Sequence, residues 1–140
     1  MIPDNAITLA KLFEGFSSRV YYCPAGYPTI GYGHVCNPNH PPINREQGEA
    51  YLVADMMKAF KSTLRICPIL SGHPDKLGAI TDFVFNLGAG RLQASTLRRF
   101  INRGDWEESA RQLNKWVYGG GRKLKGLIRR RAAEAIYFQS

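Results

Sequence analysis

The chain predicts an α+β fold, mainly helical, with a small N-terminal antiparallel β region and a larger C-terminal helical lobe. Three observations lead there. Apolar residues recur at helical spacing through most of the 140 residues. Residues 19–43 break that rhythm, setting β-branched and aromatic side chains between glycines and prolines. No internal repeat or low-complexity linker interrupts the chain, and its length suits one domain with its own core. That single domain is expected over residues 1–140, with the first helix and β lobe over about 1–60 and the helical lobe over about 61–140.

Asp4 or Asn5 can cap a first helix, along which Ala6, Leu9, Ala10, Phe13 and Phe16 recur at helical spacing. Gly15 and Ser17-Ser18 end it. Val20, Tyr21 and Tyr22 are strand formers, and Pro24-Ala25-Gly26 is a turn. Thr29 to Val35 continues a twisted antiparallel sheet, and Asn37 to Pro42, with three prolines, is a loop. Asn44 followed by Gln47 signals a helix start, with Ala50, Val53, Met57, Phe60 and Leu64 as its apolar stripe. Cys67-Pro68 stops that helix. Leu77 to Leu87 is nearly all apolar and reads as a buried helix ending near Gly88-Ala89-Gly90. Ser95 or Thr96 opens a short helix through Ile101. Asp105 opens another, with Trp106, Ala110, Leu113 and Val117 on one face. Gly119-Gly120-Gly121 reads as a flexible break, and Leu124 to Phe138 as a last, basic helix. The tail from Glu134 to Ser140 also fits the recognition pattern of a viral protease used to remove tags, so either a natural helix end or an appended scar is in keeping with it.

Net charge is +8, and it is uneven. Residues 1–90 hold seven basic and seven acidic side chains, whereas residues 91–131 hold twelve basic against three acidic. A field of that sign attracts polyanions: nucleic acid, anionic lipid or an anionic cell wall. No nucleic-acid-binding motif or interleaved aromatic pattern accompanies it, so no nucleic-acid partner is expected. No apolar run is long enough to span a membrane, and the first residues lack the pattern of a cleaved export signal. Three cysteines, Cys23, Cys36 and Cys67, are too few and too odd in number for a disulfide framework. Reduced thiols are the reading for Cys36 and Cys67. Cys23, His34, Cys36 and His40 are zinc-type side chains, but their spacing is no finger or ribbon pattern, and neither metal nor cofactor is expected.

Glu14, Cys23 and Thr29 carry the chemistry. Glu14 ends an apolar helix, and apolar surroundings disfavour a charged carboxyl, which suits a general acid. Cys23 precedes a Pro-x-Gly turn and Thr29 lies in a strand. A helix end facing a hairpin can gather all three around one cleft. Their spacing alone equally fits a solvated helix-end Glu, a buried Cys and an ordinary strand Thr.

The surrounding string changes the weight. Glu14, then Cys23, then Thr29-Ile30-Gly31-Tyr32-Gly33-His34 resembles the signature of phage-type lysozymes, glycoside hydrolase family twenty-four. Asp82 to Gly88, Ser95-Thr96-Leu97, Trp116-Val117-Tyr118 and Gly126 to Glu134 resemble later parts of that family, in the same order. The resemblance implies a lysozyme-like fold with a cleft between the β region and the helical lobe. It implies hydrolysis of the β-1,4 bond between N-acetylmuramic acid and N-acetylglucosamine in peptidoglycan. Glu14 would protonate the leaving oxygen, Cys23 would promote water attack or attack directly, and Thr29 would hold the water or the intermediate. Tyr32, Gly33, His34, Val35, Phe85 and Asn86 match positions lining the cleft. Phe85 fits a core role equally, and His34 is expected to make a structural hydrogen bond near Glu14. Cys23 departs from the Asp of many members, which leaves inversion, retention and transglycosylation open and predicts sensitivity to thiol reagents. The implied setting is synthesis in the host cytoplasm and action on the wall after a holin-type partner opens the membrane. A monomer is expected. Two other functions stay open: a cationic membrane-disrupting protein whose last helix does the work, and a lapsed wall-binding module.

Overall fold

The computed structural model describes residues 1–140 and divides them into seven α-helices, a three-stranded sheet and a small hairpin. Helix α1 (Asp4–Glu14) buries Ala6, Leu9 and Ala10 and stops at Gly15, whose φ of 65° is the left-handed region. Pro3 occupies the cap position, so neither Asp4 nor Asn5 caps the helix. Asn5 instead donates from its amide nitrogen to the Asp75 carbonyl at 3.0 Å. It lies where a side chain at Gly78 would stand, so α1 and the central helix touch closely there.

Strands β1 (Ser17–Tyr22), β2 (Pro28–Gly31) and β3 (His34–Val35) form an antiparallel sheet in chain order. Tyr21 pairs with Thr29 and Ile30 with His34, and an irregularity between Ser17 and Tyr21 bends β1. The tight return from β2 to β3 needs left-handed backbone at Gly31 and Gly33.

Helix α2 (Arg45–Ile66) starts with a complete capping box between Asn44 and Gln47. The expected stripe is out of phase: Ala50 and Val53 are exposed and Met57, Phe60 and Leu64 only partly covered. Leu52, Met56, Ala59, Thr63 and Ile66 are buried instead. Ala59, Thr63 and Gly48 are small, which favours close helix approach, and Thr63 satisfies its hydroxyl on the Ala59 carbonyl at 2.7 Å. The lobe boundary expected near residue 60 falls inside α2.

After a 3₁₀ turn over Pro68–Gly72 comes α3 (Pro74–Leu87), the centre of the molecule. Every residue from Leu77 to Val84 is buried. Such a helix needs partners on all sides, and α1, α2 and α7 (Lys125–Phe138) supply them. A short α4 (Ala89–Gln93) forms where the chain was expected to end a helix. Helices α5 (Thr96–Asn102) and α6 (Trp106–Leu113) are capped by Ser95 and Asp105. The glycine run is no loose break: Gly120 and Gly121, both left-handed, turn a hairpin of β4 (Tyr118–Gly119) and β5 (Arg122–Lys123). Glu134 and Phe138 are buried, so residues 134–138 are an integral helix end. No helix is long and apolar enough to cross a membrane.

Candidate active site

Glu14 sits on the last turn of α1, which Gly15 then closes. Its surroundings are not the apolar ones expected. Arg130 Nη1 donates to Glu14 Oε2 at 2.6 Å. The same guanidinium grips Asp82 of α3 with two hydrogen bonds, Nε to Oδ2 at 2.9 Å and Nη2 to Oδ1 at 2.8 Å. Arg130 is 5% exposed and Asp82 fully buried, while Glu14 keeps 20% of its side-chain surface open. The phenyl rings of Phe13 and Phe85 flank the guanidinium at 5.6 and 5.9 Å. The free oxygen, Oε1, lies against Gly33, where a Cβ would come within 2.7 Å of it. Gly33 is therefore required twice, by its φ of 77° and by the carboxylate beside it.

A groove of about 460 Å³ opens from Gly33. His34 and Val35 form one side, Asp55, Lys58, Ala59 and Ser62 of α2 its floor, and Val84, Phe85 and Ala89 the other. His34 makes its polar contact with Asp55. Its Nδ1 meets Asp55 Oδ2 at 2.7 Å, and its ring stacks on Tyr51 with centroids 4.1 Å apart. Tyr51 in turn bonds His40 Nε2 at 2.9 Å. These contacts occupy both histidines, and no cluster of His, Cys, Asp or Glu is arranged to hold a metal ion.

Across the hairpin, Cys23 precedes the turn that joins β1 to β2. Its amide donates to the Tyr27 carbonyl at 3.0 Å, and the Gly26 amide donates to the Cys23 carbonyl at 2.8 Å. Burial pushes the Cys23 thiol up, but the backbone N–H groups of Tyr27, Ala25 and Gly26 and the Thr29 hydroxyl outweigh it and hold the thiol below its usual value. Thr29 is buried, and its hydroxyl turns between that sulfur and the Tyr27 carbonyl at 2.9 Å. Tyr21, the cross-strand neighbour of Thr29, stands within the field of both Glu14 and Cys23. Burial, and then those two charges, push its phenol up.

The fold thus brings Cys23 and Thr29 together, sets Tyr21 within the field of both Cys23 and Glu14, and sets Gly33 against Glu14. Gly33, His34, Val35 and Phe85 line the groove. Tyr32 and Asn86 do not. Tyr32 is 7% exposed and packs on Phe16 at 5.3 Å behind the hairpin. Asn86 accepts from Arg131 Nη2 at 2.8 Å on the next turn of α3. Sequence reasoning missed Tyr21, Arg130 and Asp82 as site residues. Asp82 did carry a signal: an acid inside an apolar run needs a buried cation.

Comparison with known proteins places the chain in a family and a fold. The family profile described as Phage lysozyme matches residues 11–134. The endolysin of Acyrthosiphon pisum secondary endosymbiont phage 1 is 36% identical over 146 residues, covering 99% of this chain and 98% of that protein. The endolysin of Bacillus phage B103 is 31% identical over 98% of this chain, which spans only 53% of its length. The muramidase domain of SpmX from Asticaccaulis excentricus superposes with a TM-score of 0.86 at 27% identity, covering 100% of this chain and 98% of that one. With a profile match over most of its length and a full-length endolysin relative, this chain belongs to the phage lysozyme family and is a glycoside hydrolase of the lysozyme type.

Proposed function

We propose that the enzyme hydrolyses the β-1,4 bond between N-acetylmuramic acid and N-acetylglucosamine in the glycan strands of peptidoglycan, with Glu14, Cys23 and Thr29 as its reacting set. The observation that carries this reading is the divided environment of Glu14: Oε2 is fixed by Arg130 while Oε1 stands free against Gly33, which itself lines the groove. A fixed carboxyl with one free oxygen is what a general acid requires. Glu14 gives its proton to the glycosidic oxygen as the bond to the anomeric carbon breaks. Water bonds to that carbon from the other face, and its proton passes to the Cys23 thiolate. Three backbone N–H groups and Thr29 favour that thiolate, and the Thr29 hydroxyl beside the sulfur orients the water. Gly33, His34, Val35 and Phe85 seat the sugar rings along the groove. The exposed cations between Arg91 and Arg129 draw the enzyme to anionic envelope polymers. Access to the wall comes through a membrane-opening partner of the holin type.

Turbidity loss of outer-membrane-stripped Gram-negative cells tests the acid. Glu14→Gln should slow lysis about 10²–10⁴-fold with the fold intact. Lysis at the wild-type rate by a folded Glu14→Gln enzyme rejects Glu14. Proton NMR of the newly released reducing ends tests Cys23. Water attack on a β-linked sugar gives the α anomer first, and β product points to direct attack by sulfur. Anhydro-muramic ends, read by mass spectrometry, would replace hydrolysis with transglycosylation.

A further inference from the structure

The floor of the groove carries a charge that the chemistry at Glu14 does not use. Asp55, Lys58, Ala59 and Ser62 follow one another on α2 at helical spacing, so one face of a single helix forms that floor. Two of the four are charged. Asp55 is occupied, because its Oδ2 meets His34 Nδ1 at 2.7 Å. Lys58 is exposed and enters none of the chain's ion pairs. Lys11 gives the contrast: it too is exposed, yet it closes on Glu49. No acid follows Asp55 along α2, whereas Lys61 and Arg65 do, so nothing further along the helix offsets the Lys58 ammonium. Across the groove, Val84, Phe85 and Ala89 bring no charge. A polymer lying there meets an apolar side and a cationic floor.

We propose, on the reading of the groove as the seat of the glycan strand, that Lys58 is a specificity residue that recognises a carboxylate on the lactyl arm of N-acetylmuramic acid. The enzyme then favours strands whose muramic acid substituents are charged. The chemistry selects that sugar over its neighbour, because N-acetylglucosamine is neutral. Muramic acid presents the lactyl carboxylate itself or, where a peptide extends the arm, the carboxylates of that peptide. Lys58 can follow either, since an ammonium on a flexible stem is a mobile point charge. Within the groove it acts at a lower effective dielectric than on an open helix, so the contact is worth more there. Ser62, one turn further along, adds a hydroxyl that can donate to the second oxygen. The contact is made to a substituent and not to the breaking bond. It therefore acts equally on bound strand and transition state, and shows in KM and not in kcat.

Three substrates test this: native sacculi, sacculi whose carboxyls have been converted to neutral amides, and glycan strands freed of peptide, which keep only the lactyl carboxylate. With the full-length enzyme, Lys58→Gln should raise the apparent KM on native sacculi roughly three- to tenfold with kcat unchanged, and Lys58→Glu should raise it further. On amidated sacculi, wild type and Lys58→Gln should run alike. A difference that persists on peptide-free strands makes the lactyl carboxylate the partner, and one that vanishes there makes it the peptide's. Lys61 is exposed on the same helix but does not line the groove, so Lys61→Gln should keep KM within about twofold of wild type. Wild-type KM in Lys58→Gln on native sacculi overturns the proposal, as does the same loss on amidated sacculi. An equal loss in Lys61→Gln also overturns it, since the effect would then belong to the overall positive field. A wild-type enzyme that releases no reducing ends from any of these substrates overturns the muramidase reading itself. An active wild type with an indifferent Lys58→Gln overturns the subsite alone.

Discussion

Arg130 and Arg131 are neighbours on one helix, equally buried, and yet serve different ends. Arg130 faces α1 and α3. Its partners are Asp82, fully buried, and Glu14, which keeps contact with solvent. Arg131 points one helical step away, to Glu134, Asn86 and, at 3.5 Å, the Trp116 carbonyl. Every charge in that second group is enclosed. One arginine joins the core to the reacting edge of the molecule, and the other ties the core to itself. The difference shows that function here follows from where an ion cluster opens, since residue type and burial are the same in both. The sharpest way to break this comparison is Arg130→Met. It strands the buried Asp82 carboxylate, so stability should fall by about 3–5 kcal/mol in chemical denaturation. Adding Asp82→Leu should recover most of that stability, because a well-packed apolar pair often equals a buried ion pair. Activity should not return, because Glu14 still lacks its fixed partner.

Arg131→Met should cost less, about 1–3 kcal/mol, because Glu134, left without its cation, can take up a proton instead of staying charged. Its kcat should fall far less than that of Arg130→Met. The two acids also separate by pH. Burial pushes Asp82 up, but the hydrogen bonds from Glu134 and Arg130 hold it below its ordinary value. Its contribution is therefore present above the unfolded pKa of about 3.9 and lost as pH falls below it. Glu134 is raised, so its contribution is complete below about 4.3 and declines as pH rises toward its folded pKa. Across that upper window, Glu134→Gln should remove a downward slope of about 1.4 kcal/mol per pH unit from the stability profile. Identical slopes in the two proteins would show that burial does not raise the Glu134 carboxyl.

The reacting edge can be probed from its other side. Gly33→Ala puts a methyl group against Glu14 Oε1 at a backbone angle that favours glycine. About 1–2 kcal/mol of stability should be lost to the backbone alone. Lysis should suffer more than stability, because the carboxylate must leave its place. A Gly33→Ala enzyme with full activity would show that the close approach is incidental.

Much of the fold was legible. Glu14, Cys23 and Thr29 stand out in the sequence because their order and spacing, with the Thr-Ile-Gly-x-Gly-His string, resemble one family. The capping box at Asn44 and the caps at Ser95 and Asp105 are local signals, and local signals survive folding. What was not legible depends on partners distant in sequence. Arg130 lies 116 residues from Glu14 and 48 from Asp82, so the basic third read as a charged surface while two of its cations belong to the core. The α2 stripe was misplaced because Val53 and Leu52 begin adjacent apolar rows, and only the packing of α3 selects between them. Gly119 to Gly121 read as a break because a two-residue hairpin has too few side chains to show alternation. His34 was expected to make a structural hydrogen bond, but its partners, Asp55 and Tyr51, lie on a helix whose approach the hairpin sequence does not encode.

The mildest test contrasts these enclosed clusters with an ion pair in water. Lys11 Nζ meets Glu49 Oε1 at 2.6 Å, joining α1 to α2, with 38% and 51% of the two side chains exposed. Its geometry is as short as the Arg130 contact with Glu14, so length alone predicts equal worth. Physics predicts otherwise. Water already solvates both exposed charges, and salt screens them, so Glu49→Gln should change stability by only about 0.2–1 kcal/mol. That change should shrink further between low and high salt. The cost of Arg130→Met should stay nearly constant over the same range, because little electrolyte reaches a guanidinium that is 5% exposed. Equal salt dependence in the two variants would mean that the Arg130 cluster is open to solvent, and the distinction between the enclosed core and the reacting edge would be lost.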